Sequence, residues 1–156
     1  MSAGDDRMAR KPIVAIDQKT AALMGRVRQQ RTTPEEIVAK ALRALGMRYR
    51  RNVRTLPGRP DFANRSGGWA INVHGCFWHN HDCKRGTLPK HNADFWIPKL
   101  AANKARDARV EEQLSEAGLR VLTVWECETK QAIELERELA EFFARAKAST
   151  QSLVAL

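Results

Sequence analysis

The ten residues from His74 to Cys83, HGCFWHNHDC, hold three of the chain's four histidines and two of its three cysteines, with Phe77 and Trp78 adjacent among them. We read the stretch as one loop that combines a metal knot, a histidine free for chemistry and an aromatic wedge. Cys76-x4-His81-x-Cys83 supplies three soft or borderline ligands within eight residues, and Cys127 is the one cysteine left to complete a set. Three thiolates and an imidazole form a closed tetrahedral zinc site, which leaves no position for a water and is therefore structural. Such a site contributes on the order of 10 kcal/mol of binding free energy to folding. His79 and His91 are the competing imidazoles, and buried free thiols are the competing account. Three cysteines cannot all pair within the chain. Beside histidines they favour a metal, and a reducing cytoplasm, over disulfides.

Chain length and charge narrow the setting. At 156 residues the chain is most simply one domain, and its formal charge of +9 favours a polyanionic partner, nucleic acid or an acidic membrane. No apolar run approaches the roughly 20 residues of a membrane span, and no apolar stretch near the N-terminus marks a secretory signal. We expect a flexible arm over residues 1–20, a single domain over 21–148 and a tail over 149–156. Met1 to about Pro12 is small, polar and charged, as in disordered segments. Asp17 to Gln30 reads either as a short basic helix, with Arg26, Arg28 and Arg31 facing phosphates, or as a solvated arm.

Thr33-Pro34-Glu35-Glu36 is a helix start, with Thr33 as N-cap, Pro34 in the first turn and Glu36 closing a capping box. Ile37, Val38, Ala41, Leu42 and Leu45 form its apolar face, and Gly46 ends it. Glu35 reads by itself as a carboxylate complementing the helix dipole. Tyr49 to Arg54 is a basic strand. Leu56 to Phe62 turns into another, and Arg65 to Gly68 is a hairpin turn. Trp69 to Val73 is apolar enough to be buried on both faces, and it delivers His74 at its end. Lys84 to Asn92 is irregular. A helix capped by Asn92 or Asp94 follows, with Pro98 in its first turn, Leu100, Val110, Leu114 and Ala117 on its buried side and Gly118 as its stop. Leu119 to Glu126 is a buried strand ending at Cys127, and Ile133 to Ala146 is a last amphipathic helix. The order implies an α/β fold, a small mixed sheet flanked by helices with function at strand ends.

Asp61 and His74 are brought to neighbouring strands by one hairpin. A Pro-Asp at a strand start followed by functional residues on the next strand is how many metal-dependent nucleases build a site. The usual Glu-x-Lys or Asp-x-Lys is replaced here by Asn72-Val73-His74, so the general pattern is half met, and a plain turn aspartate is the alternative.

The combined string resembles the very short patch repair (Vsr) endonucleases. The resemblance rests on Leu56-Pro57-Gly58-Arg59-Pro60-Asp61, His74-Gly75-Cys76-Phe77-Trp78-His79-x-His81-x-Cys83, Phe95-Trp96, Asn103-x-x-Arg106-Asp107 and Val124-Trp125-Glu126-Cys127. It implies a restriction-endonuclease-like fold with a structural zinc site, and Mg²⁺-dependent nicking of one strand of double-stranded DNA 5′ to the thymine of a T:G mismatch. It implies Asp61 as carboxylate ligand of a catalytic Mg²⁺ and the backbone carbonyl of Val73 as a second ligand, where relatives often have threonine. His79 would activate water, oriented by Asp107. His74 would assist at the scissile phosphate, and Glu35 would stand near the metal without touching it. Cys76, His81, Cys83 and Cys127 match the zinc ligands, and Phe77, Trp78 and Trp96 the aromatics that enter the DNA stack. Asn80 and Asp82 depart from the histidines common in relatives, but lie between proposed ligands. We expect a monomer acting in the bacterial cytoplasm at the nucleoid, with other mismatch-repair proteins as partners.

The chemistry fits those roles. Phosphodiester hydrolysis needs a metal to neutralise charge and a base to make hydroxide, and histidine titrates near neutral pH. Unstacking a base step costs a few kcal/mol, less at a mismatch, and aromatic stacking returns roughly 1–3 kcal/mol per base. An aromatic wedge therefore selects weakened pairs, although Phe77 and Trp78 are also compatible with core packing. Two rival functions are a restriction-type or defence nuclease without mismatch preference, and a zinc-stabilised DNA-binding module without catalysis. Asp61, His79 and Asp107 together argue against the latter.

Overall fold

The computed structural model describes residues 30–154, with side chains over residues 30–146. The expected arm over 1–20 and the basic helix up to residue 29 lie outside the described residues. The described residues from Arg31 onward form one compact unit. Its elements are α1 (Thr33–Ala44), β1 (Arg50–Arg51), β2 (Phe62–Asn64), β3 (Trp69–His74), a 3₁₀ turn (Lys84–Gly86), α2 (Ala93–Glu116), β4 (Arg120–Trp125), a second 3₁₀ turn (Glu128–Lys130) and α3 (Ala132–Val154). The sheet order is β1-β2-β3-β4, antiparallel except for the parallel pair β3 and β4. The mixed sheet flanked by helices is the α/β class that the sequence implies.

Several local expectations shift. The N-cap of α1 is Thr32, not Thr33, and no side-chain bond caps it. The carboxylate that reaches back is Glu35, not Glu36: it accepts from the Arg31 N–H at 2.8 Å and from the Thr32 hydroxyl at 2.9 Å. Thr32 and Thr33 can both cap, and the earlier start lets Pro34 occupy a first-turn position whose N–H has no helical partner. Glu36 instead pairs with Arg51 of β1 at 2.6 Å. At the other end the N–H of Met47 donates to Leu42 and that of Gly46 to Arg43, with Gly46 at φ +70. This is a Schellman closure requiring a left-handed residue. Leu45, at the C-cap, is 38% exposed rather than part of the buried face. β1 is only two residues long, because Asn52 adopts φ 47 and leaves extended conformation.

The two sheet faces are covered differently. Phe62, Trp69, Ile71 and Val124 face α1 and α3, packing on Val38, Leu42, Leu135, Leu139 and Phe143. Ala63 and Ala70 face the other way, onto Leu114 of α2 and onto Leu56 and Leu119. Because side chains alternate along a strand, Asn72 and His74 share this second face with their cross-strand partners Thr123 and Trp125. Trp69 to Asn72 are buried as expected, but β4 is mostly half-buried, with only Val124 fully inside. It is one of the two edge strands of the described sheet, so one side lacks a neighbour.

α2 starts after Asn92, whose φ is 58. Pro98 is its sixth residue, one turn deeper than expected; the N–H it lacks is the one that would bond to Asp94. Trp96, Leu100 and Leu114 are the buried positions, while Ala117 is exposed. Gly118 and Leu119 close the helix onto Ser115 and Leu114 in a second Schellman motif. α3 runs on to Val154, past Ala146 and into the segment taken as a tail. Among the described residues no helix is long and apolar enough to cross a membrane.

Candidate active site and metal centre

The loop after β3 turns back on itself and sends its side chains to two places. His79 N–H bonds to Gly75, and His81 N–H to Cys76 at 2.9 Å. Asn80 between them has φ 49, a left-handed turn that Asn tolerates, so histidines two residues apart serve different clusters. Gly86 makes the close return possible: a Cβ there would lie 1.8 Å from the His81 carbonyl oxygen.

The first cluster is Cys76, His81, Cys83 and Cys127, whose ligand atoms all lie within 4.8 Å of one another. The Sγ of Cys127 is 3.5 Å from Nδ1 of His81. Zinc at its usual distances to sulfur and nitrogen, with a tetrahedral angle, separates such a pair by about 3.5 Å, so the donor set and its spacing fit that metal. The thiols are uneven. Burial pushes Cys76 up to about 12 and also raises Cys127. At Cys83 desolvation acts the same way but is outweighed by the N–H groups of Arg85 and Gly86, which hold it at about 7. Taking up a metal would release protons from the two raised thiols. His91 is exposed and stands outside the cluster, and His79 belongs to the other one.

The second cluster is His74, His79 and Asp107. The rings of His74 and His79 stack at 3.8 Å, 6° from parallel, and Nδ1 of His79 is hydrogen-bonded to Oδ2 of Asp107 on α2. These residues line a cavity of about 440 Å³ whose wall also includes Asn72, Lys104 and Trp125. Burial lowers His74 to about 4, with the neighbouring His79 adding to the effect. His74 Nδ1 is buried and has no hydrogen-bond partner.

Asp61 precedes β2, and its Oδ2 accepts from the Val73 N–H at 2.7 Å. Burial raises its carboxyl to about 6, against the pull of that N–H, and the charge of Glu35 adds to the rise. Glu35 is itself only 5% exposed. A half-buried carboxylate that resists its charge, with the charge of the buried Glu35 adding to that resistance, suits a cation. A seat of carboxylate and carbonyl oxygens suits Mg²⁺, whereas two imidazoles do not. The imidazole cluster is thus better placed for proton handling than for holding Mg²⁺.

The aromatics gather beside His79. Phe77 meets Trp78 and Trp96 edge-on, both at 5.2 Å. Trp96 is 6% exposed, while Phe77 and Trp78 are half-buried. Asn103 donates to the Trp78 carbonyl at 2.9 Å, and Lys99 lies 5.3–5.9 Å from the rings of Trp78, Phe95 and Trp96. Sequence reading missed the placement of Lys99, which α-helical spacing from Phe95 and Trp96 signals. It also gave no role to Trp125, although the parallel register of β3 and β4 puts it opposite His74.

The chain matches the family of the DNA mismatch endonuclease Vsr over residues 14–85. It is similar to the type II nicking enzyme V.XorIIP of Xanthomonas oryzae pv. oryzae, 45% identical over 117 residues, covering 75% of this chain and 86% of that relative. It is similar to the type II nicking enzyme V.NmeAIP of Neisseria meningitidis, 40% identical over 112 residues, covering 72% and 80%. It is also 42% identical over 96 residues to the DNA mismatch endonuclease Vsr of Escherichia coli K12, covering 62% of each chain.

Proposed function

Because this chain belongs to the DNA mismatch endonuclease Vsr family, and is a DNA endonuclease on that ground, we propose that it nicks one strand of duplex DNA 5′ to the thymine of a T:G mismatch. On this reading it acts in very short patch repair of deaminated 5-methylcytosine, on a restriction-endonuclease-like scaffold braced by zinc at Cys76, His81, Cys83 and Cys127. The observation that carries the reading is the His79–Asp107 hydrogen bond, with Asp61 held on the Val73 N–H one residue before His74.

His79 is the general base. Asp107 holds its Nδ1, which fixes the tautomer and leaves Nε2 free to take a proton from water. His74 stays neutral at pH 7 because of its burial, so it can offer a hydrogen bond to the scissile phosphate without competing for that proton. Asp61, with the Val73 carbonyl, would hold a Mg²⁺ that neutralises phosphate charge and lowers the pKa of a bound water. Glu35 acts on Asp61 through its charge. Phe77 and Trp78, backed by Trp96, enter the stack at the mismatch, where unstacking costs least.

The test is a nicking assay in Mg²⁺ on matched duplexes and on duplexes differing only in one T:G pair, each strand labelled separately, with Asp61→Ala alongside. A nick confined to the thymine strand and lost in the variant supports the reading. The type II names of the relatives favour a second reading, a restriction-type or defence nuclease; equal cutting of matched DNA would select it.

A further inference from the structure

One side chain touches both clusters. Trp125, the last residue of β4, stacks on His81 at 4.2 Å and 9° from parallel. It also meets His74 edge-on at 5.4 Å, and His79 at 6.4 Å. Its own backbone is pinned: its N–H donates to Glu128 at 2.7 Å, and the next N–H, of Glu126, donates to the His74 carbonyl at 2.9 Å. Arg85 of the metal loop bonds the Glu126 carboxylate at 2.7 Å.

The catalytic imidazoles need this support. His74 has no hydrogen bond at Nδ1, so its ring orientation rests on packing against His79 and Trp125. His79 has Asp107 on one side and the His74 ring on its face. On the far side of Trp125, His81 is fixed when its Nδ1 ligates a metal, and is freer to turn about its side-chain torsions when it does not. A ring wedged between a ligand imidazole and a catalytic imidazole transmits the order of the first to the second.

We infer that Trp125 is a positioning residue that couples the Cys/His cluster to His74 and His79, so that metal at the cluster sets the nicking rate as well as stability. The inference rests on the reading of His79 as general base. Misplacing a catalytic group by about 1 Å costs on the order of 10²-fold in rate, and an offset or edge-on aromatic contact is strong enough to hold such a position.

The experiment compares zinc-loaded wild type, Trp125→Ala and Trp125→Phe. It measures zinc per chain, DNA affinity, the single-turnover nicking rate at saturating T:G duplex, and the ring NMR signals of His74 and His79. Trp125→Ala is expected to retain zinc and bind DNA within about twofold of wild type, while nicking about 10- to 100-fold more slowly, with the His74 and His79 signals broadened or shifted. Trp125→Phe, which keeps a flat ring, is expected to restore most of the rate and the signals. Wild-type nicking by Trp125→Ala would overturn the inference. So would loss of zinc in both variants, which would make Trp125 a part of the metal site rather than a link from it. If wild type nicks no duplex, the proposed function fails separately, and the ring signals still decide: unchanged signals in zinc-loaded Trp125→Ala overturn the coupling, changed ones support it.

Discussion

Nδ1 of His79 is hydrogen-bonded to Oδ2 of Asp107, joining the metal loop to α2 across 28 residues of sequence. Replacing the carboxylate by an amide keeps the shape but lets the amide donate, which favours the imidazole tautomer with its proton on Nε2. Asp107→Asn is therefore expected to lower the nicking rate by about 10²- to 10⁴-fold, the range of a lost general base, with DNA affinity little changed. Single-turnover rates and binding isotherms on one T:G duplex check this. An equal loss in both would mean that Asp107 serves folding or binding instead.

Asp61 and His74 respond to burial in opposite directions, and this gives a pH signature for the metal-free protein. Asp61 is raised from 3.8 to about 6, so between those values the folded state binds more protons than the unfolded, and stability falls as pH rises. His74 is lowered from 6.5 to about 4, so the folded state binds fewer protons, and stability rises with pH. Each effect is on the order of 3 kcal/mol, and across about pH 4–6 they largely cancel. Asp61→Asn should leave a protein that is more stable than wild type near neutral pH without divalent ions, and that weakens on acidification. His74→Gln should strengthen on acidification. Urea midpoints at three pH values decide; parallel profiles for both variants would contradict the assignment. With Mg²⁺ added, Asp61→Ala should abolish the nicking that wild type shows while retaining mismatch binding.

The architecture and the two clusters were legible because their signals are local. Periodicity gives α1 and β3, and the spacing of His74, Cys76, His79, His81 and Cys83 belongs to one loop. Cys127 joined its cluster as the one cysteine left over, whereas Asp107 joined His79 through a long-range pairing that only the motif resemblance supplied. What the sequence hid depends on tertiary context. Two adjacent threonines left the α1 cap ambiguous by one residue. The exposure of β4 follows from its edge position, which composition does not reveal. The contacts of Trp125 arise from the register of β3 against β4, with His74 opposite Trp125.

Cys127, two residues past the end of β4 at the start of the second 3₁₀ turn, lies far in sequence from the loop that holds the other three members of its cluster. Cys127→Ser removes the one ligand that ties this loop to β4. If a full set contributes on the order of 10 kcal/mol, losing even a third of it lowers stability by ~3 kcal/mol. A domain of this size should then unfold roughly 6–12 °C lower, with zinc content below one per chain by elemental analysis. Unchanged zinc content would remove Cys127 from the ligand set.

Trp78 is half-buried and held by an edge-on contact to Phe77 and by the Asn103 bond to its carbonyl. The backbone bond survives truncation of the ring, so Trp78→Ala should keep the loop in place and remove only the stacking surface. Stacking is worth roughly 1–3 kcal/mol per base, and it is realised where a weakened pair opens. Contacts between the basic surface and phosphates are indifferent to the mismatch. The ratio of affinities for T:G over matched duplex should therefore fall by about 5- to 100-fold, while affinity for matched duplex changes by less than about threefold. Titrations of both duplexes at one fixed salt concentration measure this. An equal loss on both would make Trp78 a general DNA contact and leave mismatch selection to other residues.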